Sequence, residues 1–460
     1  MPANAPVAVE PSSPDLRRTL GLADLVLLVV GSVIGSGIFI VPATVMKLTG
    51  GRVGLMLGVW LFAGILSLMG ALTYGELGAM NPEAGGLYVY VRDAFGRFPA
   101  FLLGWTFLFV IGPGAVATLS VAFTFYFERL VPLGPLWHRF VPVLMIAVLA
   151  VVNVRGTRQS ARMQNLSTAI KVGALLVMAA AFLALGHGLR AVPGRVWPES
   201  LSLSLASGIG LAMVGVLWAY EGWQYVTFSA GEAERPERTF PAGITIGTIA
   251  IIAIYALANV AYIAAIGPDA VAVSPAVAAE SVRALFGPAA ETLIALAIMI
   301  SMFSAANGLT MTTPRIYYRM GRDGVFFSRL GDVHPRFGTP AIAITVSSLW
   351  AMVLAASGTF EQLLTYVVFA GWIFYALGAA SIFVFRRRLP DARRPFHVPG
   401  YPVTPVLFVL ASAAIVLNTL FSQPRRALVG LAIVALGTPA YAIWRARSRG
   451  RAAAMAPAGD

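Results

Sequence analysis

Long apolar runs separated by short polar segments make up most of the chain. A segment of roughly 17 to 25 apolar residues can cross a hydrocarbon core about 30 Å thick as a helix. The pattern predicts twelve such spans, at about 23–47, 54–79, 98–128, 140–154, 165–187, 205–231, 241–266, 289–318, 340–357, 361–385, 402–421 and 427–445. We therefore expect an all-α integral membrane protein with twelve transmembrane helices.

Two of these spans are interrupted at matching positions. The first contains three glycines within Gly31-Ser-Val-Ile-Gly-Ser-Gly37, and the sixth contains Glu221-Gly222 among apolar residues. Each glycine weakens a helix by about 1 kcal/mol relative to alanine, so the first span is predicted to unwind at 35–37. Spans one and six hold the same place in two halves of five spans, which is typical of an inverted-repeat transporter with its site at the breaks.

The spans define one membrane domain rather than several soluble ones. We predict a cytoplasmic N-terminal tail at 1–22, a single transporter domain at 23–445 and a cytoplasmic C-terminal tail at 446–460. Within the domain, repeat one covers about 23–187 and repeat two about 205–385, and two extra helices cover about 402–445.

Composition and charge support the membrane assignment and indicate its orientation. Of the 460 residues, 58% are hydrophobic and 12% are charged, and the net charge is +13. With the N-terminus inside, 23 of the 33 Lys and Arg residues fall in inner segments, 9 in outer segments and one, Lys171, within a span. Cytoplasmic loops are enriched in Lys and Arg, so both termini are predicted to be cytoplasmic, in a multi-pass protein of the cell inner (plasma) membrane. Because the charge is spread over loops, we expect no nucleic acid partner.

The first break offers a place for an anion. A helix that restarts after Gly35–Gly37 presents unpaired amides and a partial positive charge, which suit a carboxylate. Alternatively, Gly31-xxx-Gly35 only lets two helices pack closely.

The sixth span carries a carboxylate, Glu221, within the apolar region, where an acid is costly and marks a functional candidate. Unwinding here would leave the carbonyl groups of Trp218 and Glu221 free to accept hydrogen bonds from an ammonium group. Alternatively, Glu221 pairs with a neighbouring side chain or faces a water-filled vestibule, and Trp218 is either a packing residue or a lid.

Lys171 lies deep in the fifth span, well past the inner Arg162. Burial disfavours its charged form unless partners are present, and carbonyl groups at the C-terminal end of the first half-helix would be such partners. Alternatively, the side chain extends to the headgroups at the inner interface.

Several motifs resemble those of one family. Val33-Ile-Gly-Ser-Gly-Ile-Phe39 resembles the first span of the amino acid–polyamine–organocation superfamily. Five further segments resemble the L-type amino acid transporter branch of this superfamily. They are Leu217-Trp-Ala-Tyr-Glu-Gly-Trp-Gln224, Gly231–Pro241, Leu257–Tyr262, Asn307-Gly308 before Arg315, and Gly321–Gly324. The resemblance covers about residues 20 to 445 and implies a LeuT-type fold with discontinuous helices 1 and 6, in a bacterial member.

The resemblance also implies roles for individual residues. The resemblance implies that the carboxylate of an amino acid is held by Ser32, Val33, Ser36 and Gly37. It also implies that the amino group is held by the carbonyl groups of Trp218, Ala219 and Glu221. Trp218 matches a bulky aromatic gate, and Lys171 matches a lysine that replaces a sodium ion used by distant members. Glu221 departs from the small residue usual in eukaryotic L-type members. The absence of cysteine excludes the disulfide that attaches a glycoprotein partner to eukaryotic relatives.

The function expected from these observations is sodium-independent exchange of neutral L-amino acids across the lipid bilayer. Gln224 favours neutral substrates, because antiporters of cationic amino acids carry a glutamate there. Proton-coupled symport, with Lys171 or Glu221 changing protonation, is one alternative, and an amino acid sensor that does not transport is another. Four histidines and no cysteine leave no catalytic constellation, so no enzyme activity, metal or cofactor is expected.

Overall fold

Helices account for nearly all regular structure of the protein. The computed structural model describes residues 16–132, 134–200, 202–357 and 360–454. Within these ranges the chain is all-α, and the single β-bridge joins Leu20 to Ala233. The predicted all-α membrane class is confirmed.

The first half of the chain folds into long helices joined by short connections. Its helical elements are Leu22–Val33, Gly37–Leu48, Val53–Met80, Leu87–Phe95, Arg97–Thr106, the π-helical turn Phe107–Ile111, Gly112–Glu128, Pro135–Arg155, Thr157–Leu185 and the 3₁₀ turn Gly188–Ala191.

The second half repeats the alternation of long spans and short connecting helices. Its elements are Leu203–Ala219, the 3₁₀ segment Trp223–Glu232, Pro236–Val273, Val277–Phe286, Pro288–Thr312, Pro314–Arg322, the 3₁₀ turn Ser328–Gly331, Ala341–Ser357, Phe360–Arg388, Val403–Ser422 and Pro424–Ala454.

Both predicted interruptions are present. The first span consists of two helices bent by 48° with respect to each other, and the sixth leaves α-helical geometry after Ala219. Within the described ranges, ten helices are long and apolar enough to cross a membrane, or eleven when the bent pair is taken as one span. Ala341–Ser357 is a shorter apolar helix. Each of the twelve predicted spans thus coincides with an apolar helix or helix pair, and the exact number of crossings stays a prediction.

Several helices differ from the predicted bounds; the fifth span, for example, was predicted at 165–187 and its helix is Thr157–Leu185. The fourth span was predicted at 140–154, and its helix begins earlier, at Pro135, because proline suits the first turn of a helix. The eighth span was predicted at 289–318, and its helix is interrupted at Thr313 and restarts at Pro314, which has no amide hydrogen to donate to the preceding turn.

The seventh span lies within Pro236–Val273, which is kinked at Gly267, and it is the central packing element. It packs along the first, second and fifth spans. Large apolar side chains on the outside of the bundle are exposed, as Leu144 (64%), Val177 (71%) and Leu293 (71%) show. Exposed apolar surface of this kind suits contact with lipid, whereas buried polar side chains lie inside the bundle around the two broken spans.

Candidate functional site

The first break is formed by Ile34–Ser36. The helix ends at Val33 and restarts at Gly37, close to the predicted 35–37. In the described part of the chain, the backbone amides of Gly35, Ser36 and Gly37 donate no hydrogen bond. The break therefore presents free N–H groups at the positive end of the second half-helix.

Two glycines of the first span, Gly31 and Gly37, let two different spans approach closely. A Cβ atom at Gly31 would lie 2.1 Å from Gln164 Nε2, so Gly31 lets the fifth span approach. A Cβ atom at Gly37 would lie 2.5 Å from the Cα atom of Ala219, so Gly37 lets the two broken spans touch. Both glycines therefore permit close packing, and Gly37 is also the residue at which the helix restarts after the break.

A small cavity lies between the two breaks. It has a volume of about 10 Å³, enough for one water molecule. Its lining residues are Ser32, Val33, Gly35, Ser36, Gly37, Ala115, Leu119, Trp218, Glu221, Tyr225 and Leu309. Six of the seven predicted substrate-contacting residues therefore lie around one cavity, and the seventh, Ala219, packs directly on Gly37.

Two serines of the first span line this cavity in different ways. The Ser32 hydroxyl is buried and has no hydrogen-bond partner in the described part of the protein. The Ser36 hydroxyl accepts a hydrogen bond of 3.4 Å from Trp218 Nε1. A buried polar group without a partner is unfavourable, so Ser32 is free to bind a ligand that enters the cavity.

Tyr255 of the seventh span connects the two breaks. Its hydroxyl lies 2.8 Å from the carbonyl oxygen of Ala219 and 3.1 Å from that of Val33. A hydroxyl has one hydrogen to donate, so the two carbonyl groups share a single donor. Tyr255 therefore keeps the end of the first half-helix beside the break in the sixth span.

The Glu221 carboxylate is held by three donors. Gln224 Nε2 lies 2.6 Å and the Tyr225 hydroxyl 2.7 Å from its Oε1, and the Tyr375 hydroxyl of the tenth span donates to the same oxygen. Gln224 and Tyr225 follow Glu221 by three and four residues, whereas Tyr375 comes from a distant part of the sequence. Glu221 thus pairs with neighbouring side chains and also lines the cavity.

The Lys171 ammonium group lies at the carbonyl end of the first half-helix. Nζ donates to the carbonyl oxygens of Gly31 at 2.5 Å, Ile34 at 2.6 Å and Ser301 at 3.4 Å. The Ser301 hydroxyl also donates to Ile34, at 2.9 Å. Lys171 is 1% exposed, so its ammonium points into the bundle and away from the lipid headgroups.

A buried ion pair closes the bundle at one end of the sixth and eighth spans. Glu232 and Arg315 are each 1% exposed, and Arg315 Nε lies 2.8 Å from Glu232 Oε1. Thr157 at the start of the fifth span donates to Glu232 Oε2 at 2.9 Å. The amides of Thr19 and Leu20 donate to the Glu232 carbonyl oxygen. This cluster joins four separate parts of the chain, and we term it the inner lock because the arginine pattern of the sequence predicts that this end is cytoplasmic.

A second charged cluster lies in the connections at the same end. Arg92 contacts Asp323 at 2.7 Å, and Arg319 contacts Glu83 at 2.8 Å. Tyr88, in the short helix Leu87–Phe95, donates to Asp323 at 3.1 Å. Burial and the Asp323 carboxylate raise the pKa of Tyr88, so its hydroxyl stays protonated and remains a donor.

A family model described as "Amino acid permease" matches residues 20–438 of the chain. The chain belongs to this family. The match covers both broken spans, the cavity between them, Lys171 and the Glu232–Arg315 ion pair.

Curated relatives of this amino acid permease align over nearly its whole length. It is 32% identical to the human cystine/glutamate transporter, over 94% of this chain and 87% of that protein. It is 30% identical to the serine/threonine exchanger SteT of Bacillus subtilis, over 93% of this chain and 96% of that protein. It is 31% identical to the mouse large neutral amino acids transporter small subunit 2, over 93% of this chain and 81% of that protein. The permease is a multi-pass amino acid transporter and not an enzyme.

The sequence did not identify Tyr255, Tyr375, Ser301 or the inner lock as parts of the permease site. A local sequence signal marks Glu232 and Arg315, since each is a charged residue that borders an apolar run and lies in or next to a motif that resembles the family. No such signal marks Tyr255, Tyr375 or Ser301, because tyrosine and serine are ordinary residues within apolar helices.

Proposed function

We propose that this permease exchanges neutral L-amino acids by alternating access and needs no sodium. The observation that carries the proposal is the position of the Lys171 ammonium at the carbonyl end of the first half-helix. In transporters with broken helices, such carbonyl groups coordinate the coupling cation. A lysine fixed there supplies the positive charge permanently, so transport does not require a bound sodium ion. SteT, an exchanger by name, supports the exchange mode.

The free amides and the Ser32 hydroxyl form the proposed receptor for the substrate carboxylate. The hydroxyl and the amides lie in one short segment of the first span, and Val33, Ser36 and Gly37 belong to the same segment. The substrate ammonium binds the carbonyl groups of Trp218, Ala219 and Glu221 at the facing break. Trp218, whose indole already contacts Ser36, is the gate that moves aside as substrate enters.

Neutral side chains suit the rest of the cavity wall. Ala115, Leu119 and Leu309 are apolar. Glu221 is the one acidic side chain among the described residues that line the cavity, and one of its oxygens already accepts three hydrogen bonds. The cavity of about 10 Å³ must widen to hold an amino acid. Movement of the broken half-helices supplies that space, and alternating access requires the inner lock to open in the inward-facing state.

Orientation follows from the arginine distribution. The inner lock and the second charged cluster contain Arg92, Arg315 and Arg319, three of the 23 basic residues in the predicted inner segments. We therefore place this end of the bundle and both chain termini in the cytoplasm, with the protein in the plasma membrane (the inner membrane of a bacterium).

Counterflow in liposomes tests the exchange mode. Purified protein is reconstituted, and uptake of radiolabelled neutral amino acids is measured with and without internal substrate. We expect preloading to raise uptake strongly and replacement of sodium by choline to have no effect. Robust uptake into empty liposomes under an inward pH gradient would contradict exchange and favour proton-coupled symport, whereas binding without uptake would identify a sensor.

Removal of the Ser32 hydroxyl tests the carboxylate receptor. Ser32→Ala eliminates a buried hydroxyl that has no hydrogen-bond partner among the described residues, so their contacts lose no hydrogen bond. A hydrogen bond to a charged ligand contributes about 1.5–3 kcal/mol, so amino acid binding should weaken on the order of tenfold or more. Decarboxylated amines should bind Ser32→Ala and wild type equally weakly.

Ser120→Ala provides the matched control for this substitution. The Ser120 hydroxyl is equally buried but donates to Val116 within its own helix. Equilibrium binding of a radiolabelled amino acid to the purified proteins measures the effect. Equal affinities for Ser32→Ala and Ser120→Ala would contradict the assignment of Ser32.

A further inference from the structure

A large apolar groove lies on the outside of the bundle, away from the substrate cavity. Its volume is about 550 Å³. The walls are the π-helical turn of the third span, through Leu108 and Phe109, the connection from Phe326 to Leu330, and one face of the ninth span. We refer to it as the lateral groove.

The ninth span contributes a regular stripe to the lateral groove. Ile342, Val346, Leu349 and Val353 recur at helical spacing on one face. From Ile342 to Val353 the stripe is about 16 Å long at 1.5 Å per residue, which is close to half of a hydrocarbon core of about 30 Å. Leu349 and Val353 are 56% and 52% exposed. The groove is therefore open to the bilayer over the depth of one leaflet.

A positive charge lies at one end of the stripe. Arg329 borders the groove on the connection that leads into the ninth span, and its side chain is exposed. Among the residues that the structure describes, no acidic side chain forms an ion pair with Arg329. An apolar channel one leaflet deep with an arginine at its inner end matches an acyl chain attached to a phosphate.

We propose that the lateral groove binds one anionic phospholipid of the cytoplasmic leaflet. One acyl chain lies along the ninth span, and the headgroup phosphate binds Arg329. The lipid packs on Phe109, whose carbonyl oxygen accepts a hydrogen bond of 2.9 Å from Trp350 Nε1. This site is separate from amino acid binding, so it stands or fails independently of the proposed exchange.

Native mass spectrometry with defined lipids tests the proposal. Delipidated protein is titrated with phosphatidylglycerol or phosphatidylcholine of identical chains. We expect wild type to retain one phosphatidylglycerol under activation that removes other lipids. Leu349→Trp, which fills the groove from an exposed position, should reduce that adduct at least about tenfold. The control Leu293→Trp, at a 71% exposed position outside the groove, should leave it unchanged.

Arg329→Gln tests the phosphate contact with a variant that loses no buried group. A basic residue near a charged leaflet contributes about 1 kcal/mol, or about fivefold in affinity. Preference for phosphatidylglycerol over phosphatidylcholine should therefore fall about fivefold. Equal lipid binding by wild type, Leu349→Trp and Arg329→Gln would overturn the proposal. A wild-type dimer that Leu349→Trp converts to monomers would also overturn it, because a second copy would then cover the groove.

Discussion

Replacement of Lys171 by alanine should lower amino acid exchange on the order of 100-fold while weakening substrate binding much less. The ammonium makes close contacts with the carbonyl oxygens of Gly31 and Ile34, and each hydrogen bond from a charged group contributes about 1.5–3 kcal/mol. Without it, these carbonyl groups have no cation, and the end of the first half-helix loses its hydrogen bonds to Lys171 of the fifth span. The change acts on the conformational equilibrium rather than on substrate contacts.

Three further variants separate charge, shape and volume. Lys171→Met keeps most of the volume without the charge and should behave like alanine. Lys171→Arg keeps the charge but not the compact ammonium, so it should recover little activity. Lys47→Ala removes the other lysine of the chain, which is exposed, and should have no effect. Exchange is compared at matched reconstitution levels, and near-wild-type activity in Lys171→Ala would refute the role of Lys171 as a substitute for sodium.

Loss of one member of the inner lock should destabilise the protein strongly. Arg315→Gln leaves the Glu232 carboxylate buried without its countercharge, and breaking a buried ion pair costs about 3–5 kcal/mol. Thermal unfolding of the purified protein in detergent should show a large decrease in the midpoint temperature.

Removal of both charges should be tolerated far better. Arg315→Met combined with Glu232→Gln leaves no buried charge in the inner lock, and replacing a whole buried pair is often close to neutral. Arg393→Gln is the control, since Arg393 and Glu237 form an exposed pair and such pairs contribute about 1 kcal/mol or less. A double variant as unstable as Arg315→Gln would show that the inner lock acts through specific contacts rather than through charge compensation.

The sequence by itself determined where the helices lie and where two of them break. Both are local properties, because a membrane helix satisfies its own backbone hydrogen bonds and must be apolar along its length. The Gly31–Gly37 motif located the first break to within two residues because glycine weakens a helix wherever it occurs. Lys171 and Glu221 were also recognisable locally, since a charge within an apolar run is conspicuous in any fold.

The tertiary structure alone decided which groups these residues meet. The carbonyl partners of Lys171 lie 140 and 137 residues away along the chain, and Tyr375 is 154 residues from Glu221. Tyr255 occupies an ordinary position in its own helix and becomes important only because packing brings Val33 and Ala219 to its hydroxyl. Hydropathy and helix propensity act within one segment, whereas these contacts depend on how distant helices pack, and that arrangement is fixed by the complementarity of many side chains at once.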